Sequence, residues 1–240
     1  MVIPVISLYE SPKIREVTGE TIRPGGFDLT DRAVFRCGFS PGERILDAGC
    51  GTGATVERLT VRHGLRAAGI DASRVLLARG VADGRSRGLV AAAIPRIPFK
   101  PGVFGGVFCE CVLSLIPDRK SALMQFHETL KPGGYLVLTD IYARSDYPAA
   151  SPPVTGIQTC INGALPLPAL SDLITGAGFA IRLVEDHSAL LRELAVRLIF
   201  EHGSLSAFWE SWCSNEMAIE THAAVNRLKP GYYLLIAQKD

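Results

Sequence analysis

Residues 45–53 read ILDAGCGTG, an apolar run that closes on an aspartate and opens into three glycines at alternate positions. Glycines allow tight turning and let a ligand approach the backbone, and a helix beginning just beyond them offers free N–H groups and the positive end of its dipole. Two ligand classes fit such a loop. Gly49, Gly51 and Ala54 have the G-x-G-x-x-G/A spacing of a dinucleotide site. Gly49, Gly51 and Gly53 equally make G-x-G-x-G, and Asp47 stands two residues before the first glycine, where a dinucleotide loop normally carries an aliphatic side chain. A carboxylate there repels a pyrophosphate and suits a ligand with an ammonium group. Asp71 follows Gly69 and Ile70, 18 residues after Gly53. An acid at that point accepts both hydroxyls of a ribose.

The surrounding pattern puts both acids at strand ends. Strands are expected over 44–48, 66–71, 89–93, 103–111 and 135–140, with helices over 53–63, 73–83 and 118–130 between them. Ser73 and Asp118 are natural N-caps, and Lys131-Pro132-Gly133-Gly134 stops the third of these helices. Strands alternating with helices mean βαβ units, a parallel sheet and right-handed crossovers. A helix over 28–37, capped by Asp28 or Thr30, precedes this region. Residues 141–168 carry five prolines and no clear period. A helix over 170–176, a strand over 179–185, two helical stretches within 188–225 split at Gly203, and a last strand over 232–237 complete the chain. The expected architecture is a Rossmann-like, doubly wound α/β sheet of seven strands, the last antiparallel, with helical lid insertions. One domain spans 1–240: an N-terminal lid (1–40), a cofactor-binding core (41–140), and lid or substrate insertions at 141–168 and 188–225.

Composition bounds the function. Of the 240 residues 48% are hydrophobic and 20% charged, with a mean hydropathy of +0.22. Such a chain buries enough surface to fold unaided. The net charge of +1 and the absence of a basic run argue against a nucleic-acid partner. The longest apolar stretch, 103–117, is broken by Glu110 and falls short of the roughly 18 residues a membrane span needs. The apolar start, 1–8, lacks a basic flank, so a cytoplasmic location is expected. Six cysteines without a C-x-x-C pair are expected to be reduced thiols, with no metal site.

S-adenosylmethionine carries an amine, a carboxylate and a sulfonium cation, and Asp47 turns the choice of ligand towards it. The chain resembles class I S-adenosylmethionine-dependent methyltransferases of the type 11 group. Four segments carry the resemblance in order: LDAGCGTG (46–53), GID (69–71), IPFKPGVFGGVFCECVLSLIPD (97–118) and LKPGGYLVLTD (130–140). It implies that Asp47, Gly49, Cys50 and Gly51 meet the methionyl part and that Asp71 and Ala72 meet the ribose. It also implies that Cys109 and Glu110 form the wall beside the sulfonium. Where the family commonly holds the adenine amino group with an aspartate, this chain has Ala93, which leaves the backbone at Ile94 for that role. The implied activity is methyl transfer to a small molecule by in-line attack on the sulfonium methyl. The alternatives are an NAD-linked oxidoreductase and a cofactor-binding protein without turnover.

Candidate acceptor residues are Cys111, Tyr142 and Cys160. Cys109 and Cys111, two apart on a strand, are expected on one face. They read as small buried hydrophobes, or alternatively as a thiol pair for a soft substrate such as a trivalent metalloid. Trp209 and Trp212, at i and i+3, read as core. Methyl transfer mainly requires alignment and exclusion of water, and the sequence names no general base.

Overall fold

The structure is a computed structural model that describes residues 6–85, 87–144 and 157–240. In chain order its elements begin with β1 (Ile6–Ser7), α1 (Pro12–Thr18), α2 (Asp28–Cys37), β2 (Arg44–Ala48), α3 (Ala54–Val61) and β3 (Arg66–Asp71). There follow α4 (Arg74–Ala82), β4 (Leu89–Ala91), β5 (Phe104–Glu110), α5 (Arg119–Thr129), β6 (Leu130–Ala143), β7 (Ile157–Gln158) and β8 (Leu165–Pro166). The chain ends with α6 (Leu167–Thr175), β9 (Phe179–Asp186), α7 (Ser188–His202), α8 (Leu205–Glu210), α9 (Asn215–Leu228) and β10 (Pro230–Lys239).

The main sheet runs β4-β3-β2-β5-β6-β10-β9, with short β8 beside β6. Neighbours from β4 to β6 are parallel, and β10 lies antiparallel to both β6 and β9. The seven-stranded, doubly wound sheet with an antiparallel last strand is therefore present. Its apolar strands have a physical reason: β5, FGGVFCE, is buried along its whole length because helices cover both faces. On one face Leu46, Val107, Leu123 and Phe126 form the core, and on the other Ile45, Phe108, Val137 and Tyr232 pack against Leu29 and Ala33 of α2. Ser73 caps α4 by accepting from Leu76 N at 3.1 Å, and Asp118 caps α5 by accepting from Ser121 N at 3.0 Å. From β2 the chain winds to β3 and β4 on one side and to β5 and β6 on the other. The strand order thus reverses between β2 and β5, where open α/β sheets bind ligands.

Several boundaries differ from the sequence reading. The Lys131–Gly134 run does not separate α5 from its strand: β6 begins at Leu130, and the extra residues are absorbed where the pairing with β5 shifts register after Phe104. The strand expected over 103–111 ends at Glu110, because Cys111 turns into the left-handed region at φ 56°. That turn places Cys109 in the core of one face and Cys111 in the core of the other, so the two thiols do not share a face. Helix α2 starts at Asp28 with no side-chain cap, and Thr30 is engaged elsewhere. Residues 188–225 hold three helices instead of two. Phe208, Trp209 and Ala218 from α8 and α9 pack on Leu8 and Ile14, so this region buttresses the N-terminal segment. Of the proline-rich stretch 141–168, residues 145–156 lie outside the described residues.

Helix α4 lies directly on the glycine loop. A Cβ on Gly80 would stand 2.2 Å from the Thr52 carbonyl oxygen, a backbone atom that cannot swing aside. Gly80→Ala should destabilise the fold by about 1–3 kcal/mol through overpacking. Urea denaturation measures this, and an unchanged midpoint would contradict the contact.

Candidate functional site

A cavity of about 480 Å³ lies outside the carboxyl ends of β2, β3, β4 and β5, within the range of small-molecule sites. Its floor is the glycine loop. Gly49 has φ 88°, and a Cβ there would meet Val112 Cγ2 at 2.3 Å, so both conformation and space require glycine. Gly51 N donates to Asp71 Oδ2 and Ser73 N to Asp71 Oδ1, each at 2.7 Å. These bonds aim the carboxylate while leaving each oxygen further acceptor capacity. Burial raises the Asp71 pKa, and the two backbone donors oppose that rise.

The roof comes from the N-terminal segment, with Tyr9, Glu10 and residues 20–23 facing the cavity. It is fastened at two points. Glu10 Oε1 accepts from Ser73 Oγ at 2.7 Å, beside Asp71. Arg23 reaches the end of β5, where its Nη2 lies 3.0 Å from Glu110 Oε2, with side-chain exposures of 6% and 2%. Around this pair Arg23 Nε donates to the Gly26 carbonyl at 3.0 Å, Nη1 to Thr55 Oγ1 at 3.1 Å and Nη2 to Thr30 Oγ1 at 2.7 Å. Thr30 Oγ1 in turn donates to Glu110 Oε1 at 2.9 Å. Burial works to lower the Arg23 pKa, but Glu110 together with Tyr232, Asp47 and Cys111 outweighs it, and the net shift is upward.

Asp47 contrasts with Glu110. It is 3% exposed, lines the same cavity and takes no hydrogen bond among the described residues. Burial, then repulsion from Glu110, pushes its pKa up to about 8 despite Arg23. An unpartnered carboxylate opening on a cavity is a place for a cation or a donor.

Of the residues expected to meet the cofactor, Asp47, Gly49, Cys50, Gly51, Asp71, Ala72, Ile94 and Glu110 all line the cavity. Cys109 does not: it is fully buried beneath the sheet. Of the expected acceptor residues only Cys111 lines the cavity, its Sγ 3.2 Å from Tyr232 Oη. Cys160 sits behind the roof, its N–H donating to Tyr9 Oη at 3.0 Å. Tyr142 is turned away, donating to Asp186 Oδ2 at 3.2 Å on the sheet's far side. Burial holds the thiols of Cys109 and Cys111 well above their ordinary pKa, whereas soft-ion ligation requires thiolates. No group of three metal-ligating side chains occurs among the described residues. Sequence reasoning missed Tyr9, Glu10, Arg23, Thr30 and Thr55. Thr30 alone had carried a reading, as a helix cap.

Fold and cavity together define a Rossmann-like α/β protein with its ligand site at the switch point. Residues 46–138 match the family model described as "Methyltransferase domain". Among curated proteins it is 30% identical over 156 residues to the O-methyltransferase cnsE of Penicillium expansum, covering 62% of this chain and 54% of that protein. The chain thus spans about half the length of this relative. Among solved structures, the (4+2)-cyclase SpnF superposes with a TM-score of 0.74 at 21% identity, covering 100% of this chain and 99% of that one. Phosphoethanolamine N-methyltransferase 2 of Haemonchus contortus, solved with S-adenosyl-L-methionine, gives 0.71 at 19% identity, covering 94% and 55% respectively. These likenesses show the fold.

Removing one partner of the buried pair leaves an uncompensated charge. Arg23→Ala should cost about 3–5 kcal/mol, and Arg23→Met with Glu110→Leu should recover most of that. A double-mutant cycle in urea reads the coupling, and additive losses would exclude it.

Asp47 ionises near 4 in an unfolded chain but near 8 when folded. Folding therefore takes up a proton between those values, and stability falls as pH rises through the window. Asp140, raised by burial to about 6, contributes the same sign over the lower part. Asp47→Asn should therefore flatten the decline between pH 6 and 8, by at most about 1.4 kcal/mol per pH unit. Denaturation of both proteins at the two pH values tests this, and parallel slopes would refute it.

Proposed function

We propose that this chain binds S-adenosylmethionine and transfers its methyl group to a small-molecule acceptor. One observation carries the reading. Asp47 is buried, unpartnered and open to a glycine-floored cavity, so it suits the ligand's ammonium group and gives a pyrophosphate no cation to pair with. Asp71, held by two backbone donors, takes the ribose hydroxyls. The backbone of residues 92–94 and the apolar side chains of Leu115 and Ile116 flank the adenine. The bound cofactor supplies an already activated methyl group. The protein's part is therefore to hold it, align the acceptor and keep water out. The N-terminal roof, fastened through Glu10 and Arg23, does the last of these as the lid. The names of the curated relatives, O-methyltransferases and phosphoethanolamine N-methyltransferases, support a small acceptor. Six unpaired thiols support a reducing, cytoplasmic setting. No helix among the described residues is long and apolar enough to cross a membrane.

A second reading is favoured by one comparison. The structure that matches over the full length of both chains bears the name of a cyclase, so the fold alone does not fix the reaction. In that reading the cofactor is bound without methyl transfer.

Isothermal titration should show binding of S-adenosylhomocysteine and none of NAD, and the reverse would overturn the proposal. Asp71→Ala removes charge-assisted hydrogen bonds of about 1.5–3 kcal/mol and should weaken that binding about ten- to a hundredfold. An unchanged affinity would place the ribose elsewhere.

A further inference from the structure

We infer that the acceptor is a neutral or amine-bearing molecule, and that acceptors carrying a phosphate or carboxylate are excluded by the charge of the cavity wall. The inference deepens the methyl-transfer reading and rests on it. Among the described residues five carboxylates line the cavity (Glu10, Glu20, Asp47, Asp71 and Glu110) against one basic side chain, Arg23. That one cation is not available to an acceptor. All three of its guanidinium nitrogens are engaged, by Gly26, Thr55, Thr30 and Glu110, within a buried cluster. At the rim, Arg85 is already held by Glu20 at 2.5 Å and by Glu57 at 2.7 Å.

A phosphate or carboxylate leaving water needs a cation or several aligned donors to replace its hydration. The glycine loop offers backbone donors, but these lie on the methionyl side of the site, where the cofactor's own carboxylate needs them. An anionic acceptor therefore finds no free cation among the described lining residues to replace its hydration, and such a mismatch is a direct means of specificity. A neutral hydroxyl or an amine meets the opposite situation, because Glu10, Glu20 and Tyr9 on the roof can accept its hydrogen bonds. In the transfer, a lone pair on the acceptor's oxygen or nitrogen forms a bond to the methyl carbon. The carbon–sulfur bond breaks with its electron pair remaining on sulfur, and the proton displaced from the acceptor passes to water. An amine attacks as its free base. Of the two charged groups in phosphoethanolamine, the acceptor named for several relatives, this wall suits the amine and opposes the phosphate.

Matched pairs test this on the full chain. Binding of S-adenosylhomocysteine is first measured by calorimetry. Labelled methyl donor is then offered with ethanolamine or phosphoethanolamine, catechol or 3,4-dihydroxybenzoate, and tyramine or 4-hydroxyphenylacetate. In each pair the member without the anionic group should be methylated with a kcat/KM higher by about tenfold or more. Anionic members that react as well as their partners overturn the inference and leave the cofactor reading intact. So does a cofactor-binding chain that methylates none of the six. Absence of S-adenosylhomocysteine binding overturns the cofactor reading itself, and this inference with it.

Discussion

Arg23 and Glu110 join the two halves of the site. Glu110 ends the central strand β5, and Arg23 belongs to a segment that precedes the sheet altogether. Without a partner, either charge would be expensive at this depth. Together, and supplemented by Thr30, Thr55 and the Gly26 carbonyl, they satisfy one another. Such a pair adds little net stability compared with apolar residues of the same volume. What it adds is position: the roof can close only where guanidinium meets carboxylate, over the carboxyl ends of β2 and β5. The cost of a misplaced roof is two buried, unpaired charges.

The rest of the chain supports that closure. The N-terminal segment is too short to hold itself, and its apolar residues Leu8 and Ile14 are buried in one cluster with Phe208, Trp209 and Ala218. The helices between β9 and β10 thus act on the cavity at one remove. They supply none of its lining, yet they fix the segment that does. The long connection between the last two strands has its use here, as a brace for the opposite end of the sequence.

The parts of the site that could be read from sequence are those built from neighbours along the chain. Asp47 and the three glycines lie within seven residues, and Asp71 ends the next strand, so spacing alone places them. The βαβ alternation was legible for the same reason, since each unit buries its own apolar run. What escaped depends on distant partners. Thr30 and Glu110 are 80 residues apart, and nothing local distinguishes Thr30 from an ordinary helix-capping residue. Cys111 misled because strand periodicity was carried one residue too far. A single left-handed residue at the strand end reverses the face, and only glycine or asparagine would have advertised it. Tyr142 was misplaced because its side chain packs in the core of one sheet face and bonds Asp186 instead.

The two buried carboxylates of the cavity wall, Asp47 and Glu110, have different means of neutralisation. Glu110 is matched within the protein by Arg23, whereas Asp47 is matched by nothing permanent. Asp47 is tolerated at this depth because its carboxyl holds its proton up to about pH 8. An ammonium group arriving beside it does the same electrostatic work, and so displaces that proton near neutrality. On the proposed reading, proton and cofactor thus compete for one carboxylate. The competition falls on Asp47 because the roof's arginine already occupies the other acid. The residue that closes the cavity therefore also decides which acid is left to recognise what enters it.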